Sequence, residues 1–190
     1  MTRQFLLVGV AALSLTLAAC GQKSDQTDAV APDANPAATI PTPTDETSAP
    51  EFVAKAAAGD MFEVEAGKIA MARSANAEVK AFARMMVTGH TKTTAALKAA
   101  IAASGLMITP PATLPDDKAT ALADLRAVDA AGFDRAYMTG QVDAHQATLN
   151  LVSRYAQDGD TPQIKAAAAA MLPVIQEHLD KARTLRDSLS

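Results

Sequence analysis

From residue 48 onward, apolar side chains recur at intervals of three and four, the period of a helix with one face turned inward. A first helix reads from Ser48 to about Ser74, with Phe52, Ala56, Gly59, Phe62/Glu63, Ala66 and Ile69/Ala70 on one face. Ser48, followed by Pro50 in the first turn and Glu51, has the pattern of a capping box. A second helix reads from Asn76 to Ser104 through Val79, Phe82/Ala83, Met86, His90, Thr94, Leu97 and Ile101, and stops at Gly105 ahead of Pro110 and Pro111. A shorter helix over 115–128 carries Leu122, Leu125 and Val128 on one side. The next long helix, about 132–157, turns Phe133, Tyr137/Met138, Val142, His145, Leu149, Val152 and Ala156 inward. Thr161 and Pro162 then form an N-cap and N1 pair. The last helix follows Ile164, Ala168, Met171, Ile175, His178, Ala182, Leu185 and Leu189, an unbroken alternation of fours and threes. Pro173 lies inside it and predicts a kink.

No segment alternates like a strand. The expected fold is all-α: a ferritin-like four-helix bundle over residues 50–190, with a short extra helix in the connection between the second and third long helices. That connection is long enough to cross much of the bundle's length, which favours a ferritin-like order of helices over a simple up-down-up-down one.

The chain before the bundle has a different character. Residues 1–19 combine Arg3 with an apolar run from Phe5 to Ala19, the pattern of a secretory signal. Leu17-Ala18-Ala19-Cys20 resembles a bacterial lipobox, in which Cys20 is lipidated and becomes the mature N-terminus. Cys20 is the single cysteine of the chain, so no internal disulfide can form. By resemblance to other lipoproteins, Gly21 after the cysteine favours the outer membrane, with the protein facing the periplasm of a bacterial envelope. Residues 20–49 are rich in Pro, Thr, Ala and Asp, the composition of a disordered tether holding the domain off the membrane. The formal net charge is −4 and no basic patch is interleaved with aromatics, so nucleic-acid binding has no electrostatic support. Protein partners are not specified by any motif.

Candidate chemistry lies in the seams. All three histidines of the chain, His90, His145 and His178, occupy inward positions near the middle of three different helices. Mid-helix residues in a bundle share one height whatever the helix order, so the three imidazoles are expected in one layer. Glu63, near the middle of the first helix, falls within about 50° of its apolar stripe and joins that layer. One carboxylate and three imidazoles suit a single divalent transition metal, with zinc or copper favoured over iron. A metal-free layer of hydrogen-bonded His and Glu is the competing expectation. Met86, Met138 and Met171 lie near the seam as core filling, or as neighbours suited to copper.

A two-iron carboxylate centre is not expected. It needs Glu-x-x-His on two helices, and the residues three before the histidines are Val87, Val142 and Ile175. No Ser/His/Asp spacing, P-loop or dinucleotide glycine pattern appears, and no catalytic residues are assigned.

These residues together carry a resemblance. Glu63…Gly67…Ala70, Val79-Lys80-x-Phe82-Ala83-x-x-Met86-Val87-x-x-His90, Phe133-Asp134-x-x-Tyr137, Ala144-His145 and Leu172-Pro173-x-x-x-x-His178-Leu179 resemble a bacterial envelope family named as domain of unknown function 4142. The family is described as ferritin-like and as an outer-membrane protein; the resemblance spans about residues 51–188. It implies the four-helix fold, supports Glu63 and the three histidines as family positions, and implies no activity. Members often carry Asp where this chain has Gly89, which implies the loss of a carboxylate that orients or caps the helix. The expected role is metal buffering or sensing in the envelope; the alternative is a structural or stress-related periplasmic interaction module.

Overall fold

The computed structural model describes residues 47–189. The signal segment, Cys20 and the tether up to residue 46 lie outside the described residues. Five helices and no strand occur among the described residues: α1 (Ala49–Arg73), α2 (Ala77–Ser104), α3 (Asp116–Ala127), α4 (Phe133–Asp158) and α5 (Pro162–Ser188). None is long and apolar enough to cross a membrane.

Local chemistry sets most of the ends. Asn76 caps α2, its side-chain oxygen accepting the amides of Glu78 at 2.8 Å and Val79 at 3.3 Å. Gly105 ends the same helix at φ 71°, a left-handed conformation that a side chain would resist. α5 runs through Pro173, which has no amide to offer the carbonyl of Ala169; both residues are exposed, so water can serve that carbonyl.

The start of α1 is built differently from the capping box its sequence predicts. Ser48 makes no side-chain cap. Asp160, in the short link between α4 and α5, accepts the Ala49 amide at 3.1 and 3.2 Å through its two carboxylate oxygens. The Asp160 amide returns a bond to the Thr47 carbonyl at 3.1 Å. An ionised acceptor at the positive end of a helix is stronger than a neutral hydroxyl, which is why the distant residue wins. Thr161 does not cap α5 with its side chain either; its hydroxyl donates to Asp160 at 2.9 Å, as does that of Tyr155 at 3.0 Å. The Tyr155 ring in turn stacks on Phe52, with centroids 4.1 Å apart and planes 15° from parallel.

The long helices pack as two hairpins, α1 with α2 and α4 with α5, joined through α2 against α5 and α1 against α4. Asp160 places the α4–α5 link at the start of α1. Ile101, near the end of α2, shares an apolar cluster with Ala49 and Phe52, whereas Phe133, at the start of α4, clusters with Ala66, Ala70 and Val79. The segment from 105 to 132 therefore runs from one end of the bundle to the other, carrying α3. Arg73 fastens it: Nη1 donates to the carbonyls of Leu125 (2.8 Å) and Arg126 (2.9 Å), and the guanidinium lies 4.4 Å from the centroid of the Phe133 ring.

The core is not continuous. One apolar cluster runs from Ala49 and Phe52 to Met171 and Ile175; the other runs from Ala66 and Met86 to Leu179 and Ala182. Between them lies a buried polar layer: Asp60, Glu63, His90, Thr93, Gln141, His145 and His178.

Candidate metal centre

The layer is made by seam positions that carry polar side chains instead of apolar ones. His90 from α2, His145 from α4 and His178 from α5 form a nearly equilateral triangle, each pair of ring centroids 5.4 Å apart. One ligand nitrogen from each ring lies within 4.8 Å of the other two. All three are almost fully buried, 1 to 3 % exposed.

Two of the rings are fixed from behind. The Nδ1 of His145 lies 2.8 Å from the carbonyl of Gln141, four residues earlier on α4. A carbonyl can only accept, so this nitrogen carries the hydrogen and Nε2 holds a lone pair. The Nδ1 of His90 lies 2.8 Å from Oδ1 of Asp60, on α1. Asp60 also accepts from the hydroxyls of Thr93 at 2.9 Å and Thr94 at 2.8 Å. A carboxylate so placed accepts the Nδ1 hydrogen of His90, so that in the neutral ring Nε2 holds a lone pair as well.

The two Nε2 atoms face each other at 3.4 Å. Two lone pairs at that distance repel unless something positive joins them. Bonds of about 2.0–2.1 Å to a tetrahedral ion separate two nitrogens by about 3.4 Å. The third ring brings its own demand: Nδ1 of His178 is buried and has no hydrogen-bond partner. A cation inside the triangle answers both, and these residues fit one.

Titration behaviour follows the same geometry. Burial alone drives His90 down, but the Asp60 hydrogen bond and the charges of Glu63 and Asp60 outweigh it, so its pKa is raised. Burial lowers His145, a shift that Glu63 opposes and His90 reinforces. Burial, with the charges of His90 and His145, brings His178 down to about 3. Near neutral pH, His145 and His178 present lone pairs, and His90 is the ring that takes up the proton.

Glu63 is buried in the layer, as its angle on α1 predicts, but it is not one of the triangle's ligand groups. Its Oε2 accepts from the Gln141 amide at 2.7 Å, and its charge reaches His90 and His145. Met86 and Met138 belong to one apolar cluster and Met171 to the other.

Sequence reasoning missed Asp60, Thr93 and Gln141 as members of this layer, and missed that Thr94, set on the seam of α2, donates to Asp60. Asp60 had a signal: Ala56, Asp60, Glu63, Gly67 and Ala70 are spaced 4-3-4-3, so the carboxylate lies squarely on the seam. Gln141 stands likewise between Met138 and His145.

Gly89 also has a different meaning in three dimensions. A Cβ there would lie 2.7 Å from Cε1 and 3.1 Å from Nε2 of His178. The glycine is the space in which the third imidazole sits, and the carboxylate that orients His90 comes from α1 instead. Gly89→Ala would gain about 1 kcal/mol in helix propensity but must displace the His178 ring. The expected result is a metal-free protein little changed in melting temperature and a loss of metal affinity of about tenfold or more, read by competition titration against a chromophoric chelator.

A family model described as a domain of unknown function (DUF4142) matches residues 33–185. No curated protein and no solved structure matches the chain.

Proposed function

We propose, from the premise that this chain belongs to the DUF4142 family, that it is an envelope metal-binding protein holding one divalent ion within the triangle of His90, His145 and His178. The observation that carries the reading is the pair of Nε2 atoms facing each other at 3.4 Å, which need a proton or a cation between them, with the buried, unpartnered Nδ1 of His178 beside them. Three imidazoles suit zinc or copper. Bound there, the ion supplies positive charge to three lone pairs and takes the place of a proton. Asp60 orients His90, the Gln141 carbonyl orients His145, and the Gln141 amide holds Glu63 alongside. The pairing of helices and the long α2–α4 connection support a ferritin-like four-helix arrangement.

We read the protein as a lipoprotein of the outer membrane, anchored through Cys20 and facing the periplasm, where it buffers or senses metal. This rests on the signal-like residues 1–19 and the lipobox-like sequence before Cys20. Its test is mass spectrometry of the mature N-terminus: a diacyl or triacyl cysteine at position 20 supports it, and an unmodified terminus elsewhere removes it.

The second reading is a metal-free layer in which His90 holds a proton and the layer serves helix register. The contact of His90 with Asp60, and the raised pKa of His90, favour it. Elemental analysis of protein purified without chelator separates the two. Near one equivalent of a single transition metal supports the binding site; no metal, with no uptake on titration, leaves the histidines as architecture.

Proton release gives an independent check. Below the raised pKa of His90 the ring carries a proton that an incoming ion must expel, so metal uptake releases close to one proton. As pH rises through that pKa the release disappears and affinity levels off; below it, affinity falls about tenfold per pH unit. Calorimetric titration in buffers of different ionisation enthalpy reads the proton count directly, and a count of zero at every pH would sink the displacement.

A further inference from the structure

Histidines that hold a metal nearly always donate the hydrogen on their second nitrogen to a fixed acceptor, which sets the tautomer and the ring's orientation. His90 has Asp60 and His145 has the Gln141 carbonyl. His178 has neither. Its Nδ1 has no partner, and no hydrogen bond reaches its Nε2 among the described residues. Whichever nitrogen takes the ion, the other is left as a donor without an acceptor.

What lies beside that ring is a groove of about 610 Å³ between α2 and α5. His178 and Gly89 are among its lining residues, and the Cε1–Nε2 edge of the imidazole packs where a side chain at position 89 would otherwise stand. The charged residues lining it are Arg84 and Lys92, both exposed, and no acid is among them. Neither cation makes a hydrogen bond or ion pair among the described residues. The acid nearest in sequence, Glu177, is held by Lys181 at 2.6 Å. The rest of the wall is mostly apolar, including Ala96, Ala170 and Val174, with Thr88 and Thr93 as its other polar residues. In a chain of net charge −4, this is a cationic, apolar-walled recess opening on an imidazole that lacks an acceptor.

We infer that the α2–α5 groove binds a short aliphatic carboxylate, which accepts the free N–H of His178 and completes the outer hydrogen bonding of the metal centre. The carboxylate reaches the imidazole where His178 lines the groove, Arg84 and Lys92 neutralise its charge, and its alkyl chain lies on the alanine wall. The ligand takes the place that Asp60 fills for His90. Metal and carboxylate therefore bind cooperatively, each raising the affinity for the other by the same factor. This rests on the metal-binding reading above.

The test titrates Co(II) into the purified full-length protein and follows the ion's visible absorption. Propionate replaces chloride at constant ionic strength, and a parallel series uses methylphosphonate. The expected result is cobalt affinity about tenfold tighter in propionate, with little change in methylphosphonate. In the Arg84→Gln/Lys92→Gln variant, affinity in either salt matches that of wild type in chloride. Cobalt binding indifferent to propionate overturns the inference and leaves the metal centre standing. A gain that persists in the double variant also overturns it, because it puts the carboxylate outside the groove. A gain with methylphosphonate alone overturns the ligand class. No cobalt binding in any salt removes the metal-binding reading and this inference with it.

Discussion

Replacing His90, His145 and His178 together by alanine abolishes metal uptake and, with it, the rise in melting temperature that metal confers on the wild type. At free metal a thousandfold above Kd, binding contributes about 4 kcal/mol to the folded state, which for a domain of this size raises Tm by about 10 °C. All of that difference disappears in the variant. The variant also leaves a cavity between two apolar clusters and is less stable with or without metal. Absolute stability is therefore a poor readout; the difference between metal-loaded and chelator-treated samples is the quantity to compare. His145→Gln guards against a folding defect, because it keeps polarity and most of the volume while removing the ligand. Glu63→Gln belongs in the same series. Glu63 is held by Gln141 and lies outside the triangle, so its loss weakens metal binding far less than the loss of any histidine. A wild type that melts identically with every metal and with chelator would reject the binding site outright.

Asp60 carries the second large effect. Its carboxylate is the acceptor for His90, Thr93 and Thr94 at 2.8 to 2.9 Å. Asp60→Ala leaves these donors facing an apolar gap, and each buried group without a partner costs about 1–3 kcal/mol. Thr93 has an alternative acceptor in the His90 carbonyl, 3.0 Å away, so the loss comes mainly from His90 and Thr94. A net destabilisation of about 3 kcal/mol is expected in denaturant titration. Asp60→Asn is the informative partner. It retains an oxygen for the His90 hydrogen but removes the charge, so the raised pKa of His90 falls and metal affinity drops about 10- to 100-fold. Proton release on metal uptake near neutral pH diminishes at the same time, because less proton is there to expel. If Asp60→Asn binds metal as wild type does and releases as many protons, Asp60 does not orient His90.

The helices were legible because each long seam repeats many times, so a single misplaced residue cannot hide the period. Asn76, Gly105 and Pro162 mark their boundaries through chemistry confined to one or two turns. The three histidines were legible for the same reason, since each replaces an apolar residue in an otherwise regular stripe. Asp60 was harder. α1 is so rich in alanine that its buried face contrasts weakly with the rest, and a carboxylate on a seam reads as a boundary of the stripe until a partner across the interface is known. The cap of α1 by Asp160 joins residues 111 positions apart, beyond any local pattern. Gly89 could be read from sequence only as a weak point in α2. Its use depends on which residue of α5 crosses it.

The Asp160 tie also orders events in time. In chain order α1 and α2 are complete well before residue 160, so a hairpin formed by these two alone has an open end until almost the whole chain is present. Closure of that end requires α4 and α5 to arrive, which makes docking of the two hairpins a late, non-local step. The amide hydrogen of Ala49 then serves as a clock: during refolding in deuterated buffer, its protection should appear with the docking phase, after the amides in the middle of α2 are already shielded.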